Sequence, residues 1–470
     1  MNALTINNTC KSGILRERCG IKSFPTAPHS PNPYRQILAR RFPEPLIALL
    51  LFLFGVWVWD HYFTKPSGYA SGTGDMAFLR IDRDLRLAEQ MASAPPLLRH
   101  VLDISTQGEV LADASKTLPE LERAGALDDD QRFIAAVLSL SADGQLSPAS
   151  LMERGFDRLP SQAGLGQAIT SGNAAWWQAA LARSWEKQGQ FANRVAWDAY
   201  ESSGRHLLWR ACIGRGVGWL IVLAGVPFLP RAARMLVARS VPPSRYAGAW
   251  KPSLGLVVFL ISTLAWIGFT MVLEFLSSSH PFPRWYGIAL DSACRVLPLL
   301  IVIALLFRKG THALRSLGAC RPVPWRLVLG VFAGLTVADR LFVLALGNLI
   351  PADPTGGLSA SEQGVWGLAY AVISACLLAP LTEEVVYRGV LFRALANGGG
   401  VWIGAALSSL FFALVHFYSL YGMFSVALFG LATALVYASS RSITAAIALH
   451  VLYNVSIKLP EWLVYHSSNG

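Results

Sequence analysis

Two stretches, Leu254 to Leu276 and Ile288 to Phe307, are each long and apolar enough to carry a helix across lipid. A hydrocarbon core about 30 Å thick takes roughly 20 such residues. Inside lipid every backbone N–H and C=O must be paired within the chain, so runs of this length select helices. Further runs follow the same rule: Leu46 to Phe63, Cys212 to Leu229, Leu327 to Leu349, Val365 to Leu381, Val401 to Phe417, Met423 to Tyr437 and Ile443 to Ile457. The expected fold is an all-α, polytopic integral-membrane helical bundle of about nine spans.

The net charge is +11, a value that in a soluble chain points toward nucleic acid. Here the basic residues sit in the turns between apolar runs instead, and no nucleic-acid partner is expected. Lys11, Arg16, Arg18, Lys22, Arg35, Arg40 and Arg41 precede the first run. Arg231, Arg234, Arg239, Arg245 and Lys251 fill one later turn, and Lys309, Arg315 and Arg321 another. Loops near Ser279 and Asp353 are almost free of them. Positive charge stays on the cytoplasmic side. The chain is therefore expected to be multi-pass in the plasma (inner) membrane with a cytoplasmic N-terminus. Residues 1–44 read as a basic, disordered cytoplasmic tail, and 45–63 as an uncleaved transmembrane anchor.

Between residues 64 and 208 the composition changes. Most acidic residues fall here, including Asp128, Asp129 and Asp130, and no stretch is long enough to span. Apolar residues recur at three and four positions around Leu97 to Ile104, Phe133 to Leu140 and Trp176 to Trp197, the helical period. A small, soluble, helical extracytoplasmic domain inserted between the first and second spans is expected, followed by transmembrane helices over 209–350. None of Cys10, Cys19, Cys212, Cys294, Cys320 and Cys376 lies in that domain, so structural disulfides are not expected. The string Gly72, Thr73, Gly74, Asp75 resembles an aspartyl-protease motif, but it has no partner aspartate on a facing span and reads as a linker. Gly214, Gly216 and Gly218 read as helix-packing residues.

Charged groups within apolar segments are costly and ask for a partner, a cavity or a function. The last hundred residues concentrate them. Glu383 and Glu384 follow directly on the run from Val365, with Arg388 beyond. Glu384 and Arg388 are four apart, acid first, the favoured order for a helical ion pair, while Glu383 is turned about 100° away. Phe412 and His416 share a face of the next span, and His450 and Asn454 a face of the last. Counting along the helices from the turn at Asn397 to Gly400 places Glu383 and His416 at nearly one depth. His450 joins them if the Glu383 helix protrudes about 10 Å past the membrane. A carboxylate, two imidazoles and an amide supply a base for water and donors for an oxyanion. Asp291 with Arg295, and Asp339 with Arg340, read as local structural pairs, and Glu274 as a residue near a span end.

These motifs, Glu383-Glu384-Val-Val-Tyr-Arg388, Phe412-Ala-Leu-Val-His416 and His450-Val-Leu-Tyr-Asn454, resemble EExxxR, FxxxH and HxxxN of the CPBP family, the CAAX prenyl protease and bacteriocin-processing (Abi) membrane peptidases. The resemblance covers roughly Leu327 to Leu463 and sets a catalytic core at 351–463. It implies a cavity open to the cytoplasm in which Glu383 is general base, activating water with His416, while His450 and Asn454 stabilise the oxyanion. Glu384, Arg388 and Phe412 would support them. Members are commonly called metalloproteases, so Glu383, His416 and His450 are the candidate ligands of a zinc ion. The absence of an HExxH string leans instead toward a glutamate-activated water without metal.

The function expected is an intramembrane endopeptidase hydrolysing a peptide bond of a membrane-associated protein or peptide, with membrane lipid around it. The resemblance does not by itself make that substrate prenylated. Two other classes compete. A non-catalytic scaffold or immunity protein could use the same fold, although the intact motifs argue against it. A transporter would want inverted repeats, and none is visible.

Overall fold

The computed structural model describes residues 53–54, 57, 73–189, 196–239, 251–279, 283–307, 310–346, 355, 357–358, 362–416 and 420–467. The N-terminal tail, and all but three residues of the expected anchor at 45–63, lie outside these. The described residues are helical, with no strand among them. The all-α membrane architecture read from the sequence is borne out.

The helical domain runs from α1 (Thr73–Gln90) through α2 (Pro96–Val101), α3 (Gln107–Arg123), α4 (Asp129–Ala142), α5 (Pro148–Glu153) and α6 (Gln162–Thr170) to α7 (Trp176–Lys187). Two of these helices start at reciprocal caps. The Thr106 hydroxyl accepts the Glu109 N–H, while Glu109 accepts the Thr106 N–H at 2.7 Å. Asp128 and Gln131 repeat the arrangement on α4. Leu85, Leu111, Leu118, Leu121 and Leu138 close its core. The next helix, α8 (Asp198–Gly225), runs without a break across position 208, so the domain's last helix is also the start of a membrane span. Arg210 of α8 donates to Ser467, and Tyr465 to Asp84 on α1, tying the domain to the end of the bundle.

The bundle continues with α9 (Leu229–Arg239), α10 (Pro252–Ser279), α11 (Arg284–Leu306), α12 (Gly310–Leu317) and α13 (Trp325–Leu346). After these come α14 (Gly364–Gly399), α15 (Val401–Leu414), α16 (Leu420–Ser440) and α17 (Ile443–Glu461), whose winding continues to His466. Six described segments are long and apolar enough to cross a membrane: Asp198–Ala238, Pro252–Leu273, Trp285–Leu306, Gly364–Gly399, Gly422–Ser440 and Ile443–His466. The 14-residue α15 is about 21 Å long, short of the full core. It turns back from α14 at Gly400, whose φ of 87° is a left-handed value that glycine adopts freely.

The long helix α14 is not uniformly wound. Ala371–Leu378 and Glu384–Phe392 are π-helical, with bonds reaching five residues back, and Ala379–Glu383 between them is α-helical. Extra residues inserted in a helical ladder in this way occur frequently at functional sites. Pro380 lies in the middle segment and cannot donate a backbone hydrogen bond.

Candidate active site

The second π-wound segment buries its whole length, from Glu384 to Phe392. Glu384 and Arg388, the pair expected from their spacing, meet at 3.2 Å with both side chains shut away from solvent. Arg388 also donates to the Gly430 carbonyl at 3.2 Å, and its guanidinium carbon stands 4.4 Å from the centre of the Phe412 ring. Gly430 packs closely here: a Cβ would come within 3.2 Å of Ser409 and 3.3 Å of Phe412. Phe412 is the hub of the site. Its ring lies 4.6 Å from His416, 6.1 Å from His450 and 5.0 Å from Tyr387.

Glu384 does more than its spacing implies. His450 donates from Nδ1 to Glu384 Oε1 at 2.8 Å, which fixes the ring and turns Nε2 toward Glu383 Oε2, 3.8 Å away. That gap is too long for a direct hydrogen bond. Glu383 keeps 24% of its side chain accessible against none for Glu384, so of two adjacent carboxylates one is anchored and one is open. His416 donates from Nδ1 to the Phe412 carbonyl at 2.6 Å, which fixes its ring beside Phe412.

Asn454 is placed differently. Its side-chain amide donates to the Ala375 carbonyl at 2.7 Å. In the first π-wound segment the N–H of Ala379 bonds back to Ser374. The next bond in that series would run from residue 380 to Ala375, and residue 380 is proline. Asn454 fills the place of the missing donor, and one N–H of its amide remains uncommitted.

The structure thus brings Glu383, Glu384, Arg388, Phe412, His416 and His450 into one cluster and sets Asn454 against Ala375, about two turns before Glu383. Of the other polar groups, Arg295 donates to Asp291 at 2.8 Å as the spacing implies. Asp339 accepts from Ser425 at 2.8 Å and Arg340 from α13 reaches Asp103 of the helical domain at 2.6 Å. Adjacent residues on a helix point about 100° apart, so each found a partner on a different element.

Sequence reasoning missed the Glu384 to His450 contact and the Ala375 cap. The second had a signal, a proline five residues past a small residue in an apolar helix. It also missed a group near the far end of α17, where Glu362, Glu461 and His466 gather. Among the described residues this is the group of three whose ligand atoms lie within 4.8 Å of one another. The Lys458 ammonium bridges its two carboxylates at 2.9 and 3.0 Å, which makes it an ion-pair cluster. The catalytic candidates Glu383, His416 and His450 suit zinc in kind but do not draw in to that spacing.

Residues 365–456 match the family described as type II CAAX prenyl endopeptidase Rce1-like. The segment resembles these endopeptidases. No curated protein and no solved structure matches the chain. The Rce1-like segment contains Glu383, Glu384, Arg388, Phe412, His416, His450 and Asn454, and it leaves out the helical domain and α8 to α13. The family read from the three motifs is therefore borne out for that segment.

Proposed function

We propose that the chain is an intramembrane endopeptidase that hydrolyses a peptide bond of a membrane-associated protein or peptide with water activated by Glu383. The observation that carries this is the division of labour between the two carboxylates: Glu384 is fully buried against Arg388 and His450, and Glu383 is open beside His450 Nε2.

In this reading a water between Glu383 and His416 gives its proton to Glu383 as its oxygen attacks the carbonyl. His416, whose ring is oriented by the Nδ1 bond to the Phe412 carbonyl, turns Nε2 to that water. The oxyanion lies against the amide of Asn454 and the ring of His450, which the Nδ1 bond to Glu384 holds in place. The proton held by Glu383 then goes to the leaving nitrogen, and the products are an acid and an amine. Were zinc bound, Glu383, His416 and His450 would hold it and it would polarise the water.

The test compares the membrane proteomes of cells carrying wild-type chain and Glu383→Gln. A precursor that keeps its extra mass only in the variant supports the reading and names the substrate. Identical proteomes at equal expression would overturn it in favour of a partner-binding role.

A further inference from the structure

The ion-pair cluster at the far end of α17 holds one member that no ion pair satisfies. His466 is 3% exposed, and neither of its ring nitrogens has a hydrogen-bond partner. Its Nε2 faces Glu362 Oε2 at 3.7 Å and Glu461 Oε1 at 3.9 Å, both beyond hydrogen-bond range. Buried polar groups are normally bonded, so an unpaired ring facing two carboxylates asks for a ligand that all three can share. Lys458 meets only part of that need. Its ammonium bonds Glu362 at 2.9 and 3.2 Å and Glu461 at 3.0 Å, one positive charge against two carboxylates, and the ring stays unbonded.

The backbone holds the three groups together. Residues five apart in an α-helix point about 140° from one another. The end of α17 is instead π-wound from Trp462 to His466, with bonds running to the fifth residue, and that winding brings Glu461 and His466 to one face. Glu362 comes from the segment leading into α14, where its carbonyl lies so close to Gly367 that a Cβ there would overlap it. Trp462 Nε1 donates to the Gly364 carbonyl at 2.9 Å and fastens the two elements to each other.

Two carboxylates and an imidazole on fixed backbone are a zinc-type donor set. Tetrahedral ligands about 2.0–2.2 Å from zinc stand about 3.3–3.6 Å apart, so Nε2 has only a few tenths of an ångström to close. We propose that Glu362, Glu461 and His466 bind a divalent transition-metal cation of the zinc class, which displaces the Lys458 ammonium. Two positive charges balance both carboxylates, and the metal takes the Nε2 lone pair. The Lys458 side chain, 24% exposed on a flexible stem, swings outward and opens the way in. Water completes the coordination. The site stands roughly 20 Å along α17 from His450 and is separate from the candidate active site.

The test uses full-length protein without a polyhistidine tag, purified in detergent, stripped with chelator, equilibrated with zinc chloride and desalted. Zinc per chain is counted by inductively coupled plasma mass spectrometry, with size-exclusion elution checking the fold. Wild type should retain one zinc more per chain than His466→Ala, and Glu461→Gln serves if His466→Ala does not fold. Lys458→Met keeps all three ligands and removes the competing ammonium, so it should bind that zinc at least ten-fold more tightly. Equal zinc in wild type and the ligand variants would overturn the proposal, and so would an affinity unmoved or weakened in Lys458→Met.

Discussion

Asn454 donates a 2.7 Å hydrogen bond to the carbonyl of Ala375, the carbonyl whose π-helical donor would be residue 380 if that residue were not proline. Removing the amide leaves the carbonyl without its partner at a cost of about 1–3 kcal/mol. Asn454→Ala should therefore lower thermal stability in detergent as well as peptidase turnover. Pro380→Ala returns an N–H to position 380. In the Asn454→Ala background it should recover part of the lost stability, and a double-mutant cycle read by thermal unfolding gives the coupling. Strict additivity of the two changes would show that Asn454 does not cap Ala375.

Arg388 and Glu384 are buried together, so breaking the pair exposes one unpaired charge to the interior. Arg388→Met should cost about 3–5 kcal/mol. Glu384→Gln combined with Arg388→Met should cost less than the sum of the single changes, because the second substitution removes the orphan. Yield of folded protein and midpoint of thermal unfolding measure this. The Glu384 change should also free the His450 ring, visible as a loss of turnover in the double variant that stability does not track.

The capping box on α3 gives a pH-dependent expectation outside the membrane. Hydrogen bonds from the Thr106 backbone N–H and hydroxyl hold the Glu109 carboxyl below its usual range. A carboxyl with a depressed folded pKa adds stability above its unfolded value, about 4.3, and loses it as pH falls through the lower folded value. Hydrogen exchange of the first-turn amides of α3 should accelerate below about pH 4 in the wild type. Glu109→Gln should flatten that dependence, and Thr106→Ala should weaken the helix start by about 1 kcal/mol at neutral pH.

The sequence made legible whatever depends on spacing along one helix. The apolar runs, the Glu384 and Arg388 pair, the Asp291 and Arg295 pair and the turn at Gly400 all follow from length or from the four-residue repeat. Relations between helices were less visible. Depth counting brought Glu383, His416 and His450 to one level, but it could not say that His450 would bond to Glu384 or that Phe412 would stand under Arg388. The contacts of Asp339 with Ser425 and of Arg340 with Asp103 join different elements and leave no trace in sequence spacing. The role of Asn454 depends on π-helical winding, which shifts the orphaned carbonyl from Cys376 to Ala375.

The sharpest expectation separates two neighbouring glutamates. Glu383 is partly open, and His450 Nε2 across the site is 3.8 Å away, beyond hydrogen-bond range. Glu383→Gln should leave thermal stability within about 0.5 kcal/mol of wild type, as partly exposed substitutions do. It should nonetheless lower turnover by roughly 10²–10⁴-fold, the contribution of a positioned general base. Glu384→Gln, one residue on, should lose stability and turnover together, because it unpairs Arg388 and releases His450 at once. Measuring unfolding midpoint and substrate cleavage on the same preparations distinguishes the outcomes. A Glu383→Gln variant that keeps wild-type turnover would move the base to another residue, whereas one that merely unfolds would make Glu383 a packing residue.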